Sequence, residues 1–237
     1  ARVVQRSIDA DVALRSALGG ITPLATVFPV TGLGNQLSMV ARMIAARNAV
    51  SAKRQVFFVG IGGFDTHDKL ADNHPALLTQ IGGALAAFDA AMVELGTSQQ
   101  VTAFTASDFG RTLSSNGDGS DHGWGSFHFI SGGAVRGQRF HGTAPVPGNN
   151  GDDDVGQGRM LPTMAVDQLA ATLATWMGVT SATDLATVVP GIGNYSVSAS
   201  FLSAETASLG TSRTFGVSGV ADVVDGANTT LAGNAAW

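Results

Sequence analysis

The sequence predicts an α/β fold with a mainly parallel sheet flanked by helices, and three consecutive stretches carry that prediction. Residues 55–61 form a nearly unbroken apolar run rich in β-branched and aromatic side chains, the pattern of a strand buried on both faces. Leu78, Ile81, Leu85, Phe88, Met92 and Leu95 then recur at helical spacing up to Gly96, with Pro75 suited to the first turn. Residues 101–105 read as a second strand. Strand, long helix and strand make a crossover unit, for which parallel pairing and a right-handed connection are expected.

The remaining elements are read in chain order. A helix is expected over residues 7–18, with Ile8 and Val12 on one side and Gly19-Gly20 as its stop. Leu33, Leu37, Val40, Ala41 and Ile44 predict an amphipathic helix over 34–47. Residues 127–131 predict a third strand, and 143–159 a loop containing the acidic run Asp152-Asp153-Asp154. Val166, Leu169, Leu173 and Trp176 mark a further helix ended by Gly178. With 237 residues the chain reads as one α/β domain over 1–200, followed by a Ser/Gly/Thr-rich tail or edge strands over 201–237.

Composition narrows the chemistry. A formal net charge of -5 with 13% charged residues argues against nucleic-acid binding, which needs a basic face. Without cysteine there is neither a disulfide nor a thiolate metal site, so any metal rests on His and carboxylates. No apolar run in the sequence reaches the roughly 20 residues of a membrane span, and no signal peptide is recognised. The start at Ala1 fits a processed or truncated product.

Polar chemistry is expected where the strands end, because open α/β sheets bind ligands beyond their carboxyl edges. After the first strand come Gly62-Gly63-Phe64-Asp65-Thr66-His67, where Asp65 and His67 read either as a metal pair or as a capped turn. After the second come Ser107-Asp108-Phe109-Gly110-Arg111-Thr112. Asp108 is a candidate ligand or a helix cap, and Arg111 a candidate anion clamp or the ion-pair partner of Asp108. Asp121-His122 reads as a ligand pair, as a carboxylate orienting an imidazole, or as a loop salt bridge. All five histidines lie between residues 67 and 141. His128, within an apolar strand, reads as a satisfied core residue, and the three-Asp run as a solvated loop rather than a calcium site. Nucleophile elbows, P-loops and dinucleotide fingerprints are absent.

Taken in order, Thr31-Gly32-Leu33-Gly34-Asn35-Gln36-Leu37, the Asp65/His67 motif, the Asp108/Arg111 motif and Gly119-Ser120-Asp121-His122-Gly123-Trp124-Gly125 resemble the bacterial domain-of-unknown-function 1501 family. Gly132-Gly133-Ala134-Val135-Arg136-Gly137 and Trp176-Met177-Gly178-Val179 extend the resemblance over residues 30–195. It implies an alkaline phosphatase-like fold and metal-dependent hydrolysis of phosphate or sulfate esters. It further implies Asp65, His67, Asp108 and His122 as metal ligands; zinc, manganese or calcium is the expected ion, with Arg111, as an anion clamp, and Asp121 the expected catalytic residues. Phe109 stands where that superfamily usually has a metal-binding histidine. An apolar strand and a Gly-Gly-Asn-Asp-like motif normally open the family and are not found before residue 30. The chain is therefore expected to be a C-terminal part, acting with its own N-terminal fragment in the periplasm or outside the cell. The alternative is a non-catalytic exported binding or assembly protein that retains the fold.

Overall fold

The computed structural model describes residues 2–50, 54–195 and 201–202 and the strands at 213–218 and 234–236. The elements in chain order are α1 (Arg2–Gly19), α2 (Gly32–Ala45), β1 (Arg54–Phe58), α3 (Leu70–Glu94), β2 (Val101–Thr105), β3 (Gly110–Ser115), β4 (Ser120–Gly123), β5 (Gly125–Phe127), β6 (Ile130–Ser131), α4 (Val166–Trp176), α5 (Ala182–Val188), β7 (Arg213–Ser218) and β8 (Asn234–Ala236). The chain is thus a mixed helix and strand structure.

Its largest sheet has the order β1-β7-β2-β6, in which β1 and β2 each run parallel to β7 while β6 pairs antiparallel with β2. Two small antiparallel sheets, β3-β4 and β5-β8, complete the strands. The expected direct neighbourhood of the strands at 55–61 and 101–105 is corrected here. Residues 213–218, expected in a tail or edge strand, lie between them.

The core follows the sequence periodicities. Leu33, Leu37, Val40, Ala41 and Ile44 of α2 are buried against Ile81, Ala84, Leu85, Phe88 and Met92 of α3, together with Val101 and Ala103 of β2. The opposite face of β2 offers Phe104 to a second cluster, built by Leu169, Leu173 and Trp176 of α4 with Phe201 and Leu202. Helices therefore cover β2 on both faces. They do not do so for β1, where Phe57 joins the first cluster while Val56 and Phe58 are 69% and 63% exposed. The expectation of two-sided burial fails at β1 because the described residues leave open the face that carries Val56 and Phe58.

Helix ends also differ from expectation. Thr31 caps α2, its hydroxyl accepting from Gly34 N–H at 3.0 Å. By contrast, α3 begins five residues before Pro75, and that proline sits inside the helix. The early start is fixed from outside, since Leu70 N–H donates to Asp118 C=O at 3.0 Å and Lys69 adopts a left-handed φ of 50°. With 25 residues and a window of mean hydropathy 1.5, α3 is long and apolar enough to cross a membrane. Its buried stripe inside the first cluster is that of a core helix. Helix α1 is longer than expected and buries no residue. The strand expected at 127–131 divides into β5 and β6 around His128.

Candidate metal centre

The site is assembled by two close approaches of backbone. After β1 the chain turns at Gly63, whose φ of 96° favours glycine, and carries Asp65 and His67 out of the sheet. The β3–β4 hairpin folds over this turn, with Ser120 N–H donating to Thr66 C=O at 3.3 Å. A Cβ on Gly119 would lie 2.3 Å from the carbonyl of His67, so only glycine permits the contact. Within the hairpin, Arg111 and His122 stand directly opposite in register, and both reach Asp65.

Three ligand-type atoms meet there. Asp65 Oδ1 lies 2.9 Å from His67 Nε2 and 2.7 Å from His122 Nε2, and the two Nε2 atoms are 3.1 Å apart. Each group is held by a further residue. The Arg111 guanidinium, with its side chain 3% exposed, donates to Asp65 Oδ1 at 2.8 Å and to both the carbonyl and the hydroxyl of Ser120. Asp121 Oδ1 faces His67 Nδ1 at 3.3 Å and accepts from Asn116 Nδ2 at 2.9 Å. Phe109 stacks on His122, with ring centroids 3.5 Å apart.

The electrostatics follow from these contacts. Burial alone would raise the Asp65 carboxyl. Hydrogen bonds from His122 and Arg111, with the charges of His67 and His122, outweigh it and hold the group below its ordinary value. Asp121 is also held low, chiefly by the Asn116 amide and then by His67. A carboxylate facing Nδ1 of His67 favours a proton on that nitrogen, which in the neutral ring leaves the Nε2 lone pair toward Asp65. Nε2 and the carboxylate oxygen, 2.9 Å apart, need a proton or a metal ion between them.

The donor set fits a divalent metal. Two imidazoles and one carboxylate suit zinc, manganese or iron, whereas calcium prefers oxygen ligands throughout. Ligands about 2.0–2.1 Å from a shared tetrahedral ion lie roughly 3.3 Å from one another, a few tenths of an ångström wider than this triangle.

Two expected roles are corrected. Asp108 is exposed and outside the group formed by Asp65, His67 and His122, because Ser107 and Phe109 on either side take the buried positions. Arg111 pairs with Asp65 rather than Asp108, and its burial fits a support for the carboxylate better than a clamp open to an anion. Asp121 does orient an imidazole, that of His67 rather than its neighbour His122. Asn116 and Ser120 are supports whose roles no motif marks; only their place in the hairpin just ahead of Asp121-His122 points to them.

Other histidines lie elsewhere. His128 is 2% exposed, with Nδ1 3.2 Å from Thr105 Oγ1 and Nε2 3.3 Å from Ser126 Oγ. Burial lowers its pKa to about 4, which keeps it neutral, in keeping with a satisfied core residue. His74 meets the Phe64 ring edge to face, and His141 Nε2 lies 3.0 Å from Arg136 C=O. The acidic run is tied into its loop, Asp153 accepting from Val146 N–H and Asp154 from Asn150 and Gly156 N–H.

The family profile for proteins of unknown function (DUF1501) matches residues 25–188. The chain belongs to the DUF1501 family. The matched span contains every residue of the Asp65–His67–His122 centre and its supports, and it ends before β7 and β8. No curated protein and no solved structure matches the chain.

Proposed function

We propose that this DUF1501 chain is part of an exported, metal-dependent hydrolase of phosphate or sulfate esters, with Asp65, His67 and His122 as the protein ligands of one divalent ion. One observation carries the reading: Asp65 Oδ1, His67 Nε2 and His122 Nε2 meet within 2.7 to 3.1 Å although His122 lies 57 residues beyond Asp65. A bound ion supplies Lewis-acid polarisation of an ester oxygen and a lowered pKa for a coordinated water. Arg111 keeps Asp65 ionised and fixes its rotamer. Asp121 fixes the tautomer of His67, and Phe109 fixes the ring plane of His122. Zinc or manganese suits these donors better than calcium. An alkaline phosphatase-like fold is part of the proposal, supported by the parallel alignment of β1, β7 and β2 and by the family's motif order. Export rests on the family resemblance alone.

The test is elemental analysis of the purified protein after dialysis against zinc or manganese, joined to a screen of nitrophenyl phosphate and nitrocatechol sulfate. One ion per chain, lost in His67→Ala, with turnover of either ester, is the expected result. Absence of a stoichiometric ion overturns the proposal. The second reading, a non-catalytic binding or assembly protein, is favoured by Phe109 and the outward Asp108, which leave the described residues with ligands for one ion only. It predicts a bound ion with no turnover of any ester.

A further inference from the structure

A cavity of about 670 Å³ opens between the start of α3, the β3–β4 hairpin and residues 160–162, and none of Asp65, His67 or His122 lines it. Its volume is that of a small-molecule site. Leu70, Leu113, Phe127 and Leu161 supply apolar wall, with Leu113 and Leu161 51% and 40% exposed. Buried polar groups lie beneath them, since Arg111, Ser120 and Ser126 are 8%, 5% and 7% exposed.

The charges around the cavity exclude an anion as the natural occupant. Arg111 is already neutralised by Asp65, and Lys69 shares the lining with Asp72 and Asp118. No positive excess remains. The hydroxyls differ in what they leave open. Ser126 Oγ is engaged with His128 Nε2 at 3.3 Å. Ser120 Oγ accepts from Arg111 Nε at 3.3 Å, and its own proton has no acceptor among the described residues. A buried donor left without an acceptor is costly, so a ligand that accepts this proton gains more than its apolar contacts.

We infer that this cavity binds a neutral, mainly apolar small molecule bearing one hydrogen-bond acceptor, a carbonyl or ether oxygen, that takes the Ser120 hydroxyl proton. None of the three ligand residues lines the cavity, although Arg111, which holds Asp65, and Ser120, which holds Arg111, do.

The probe is prodan, a neutral fluorescent naphthyl ketone, titrated against the full chain with ethylnaphthalene as a competitor lacking the acceptor. Saturable binding of one prodan per chain with blue-shifted emission is expected. Leu161→Asp puts a charge on the apolar wall at a partly exposed position that tolerates it, and should weaken binding at least about tenfold. Ser120→Ala should weaken prodan about fivefold, the worth of one hydrogen bond, and leave ethylnaphthalene unchanged. Phe58→Asp, on the exposed face of β1, should change neither. Binding that survives Leu161→Asp, or that is lost in Phe58→Asp, overturns the inference, as does the absence of saturable binding. Circular dichroism of each variant separates these outcomes from loss of the fold.

Discussion

Phe109 lies flat on His122, the ring centroids 3.5 Å apart and the planes 13° from parallel. The contact ties the turn after β2 to the far strand of the hairpin, and it sets the plane in which His122 Nε2 approaches Asp65 Oδ1. Phe109 is also 5.8 Å from the Arg111 guanidinium carbon, so one buried ring touches both a proposed ligand and the support of another. A side chain that cannot bind a metal thereby positions one that can. Replacement by leucine keeps most of the apolar volume and removes the stack, worth about 1 kcal/mol. Phe109→Leu should lower zinc affinity by about fivefold, measured against a competing chelator, with a stability change below about 1.5 kcal/mol.

Arg111 presents a different dependence, because its charge is buried and answered by Asp65. Arg111→Met removes the cation, leaves Asp65 without its permanently charged partner and strands the carbonyl and hydroxyl of Ser120. Breaking a buried pair in this way costs about 3–5 kcal/mol, toward the low end here because the Asp65 side chain keeps 19% of its exposure. Urea denaturation should show that loss. Arg111→Lys should recover only part of the stability, since an ammonium cannot span Asp65 and Ser120 together.

Asp121 acts at one remove. It faces His67 Nδ1 and is itself held by Asn116, so Asp121→Asn keeps the shape but ends the fixed preference for a proton on Nδ1. Changes to residues that orient a metal-bound histidine cost about 10–100-fold in affinity. The lower end is expected here, because Asp121 is 57% exposed and water can partly replace it. Zinc titration by competition should show this loss while the thermal midpoint moves little.

How much of this was legible in the sequence depends on which side chains repeat. The helices α2, α3 and α4 were readable because their apolar stripes are long, and the same residues form the buried clusters. Pro75 misled the start of α3, since the signal that moves it, the left-handed Lys69 held beside Asp118, belongs to a contact with the distant hairpin. A nearly unbroken apolar run over 55–61 cannot reveal that, among the described residues, one face of β1 is covered while Val56 and Phe58 stay open. Phe215 and Val217 marked 213–218 as a candidate edge strand, but so short an alternation cannot show that β7 enters the sheet between β1 and β2. Strand-end position and motif order singled out Asp65, His67 and His122, which the structure brings together. Asp108 shared both signals, and only the alternation of inward Ser107 and Phe109 separates it from them.

His128 gives the chain an acid sensitivity that owes nothing to the metal centre. It is buried between Thr105 and Ser126, and burial lowers its pKa from 6.5 to about 4. A base with a depressed folded pKa binds protons more readily when unfolded. Its contribution is therefore neutral above pH 6.5, opposes folding as pH falls from 6.5 toward about 4, and is constant below that. By pH 5 the difference amounts to about 2 kcal/mol from this residue alone. Urea midpoints measured at pH 7 and pH 5 should fall accordingly in the natural chain. His128→Gln offers an amide to the same two hydroxyls without a titrating group, and should be less stable at pH 7 yet lose markedly less between the two pH values. An equal loss in both proteins would place the acid sensitivity in other groups.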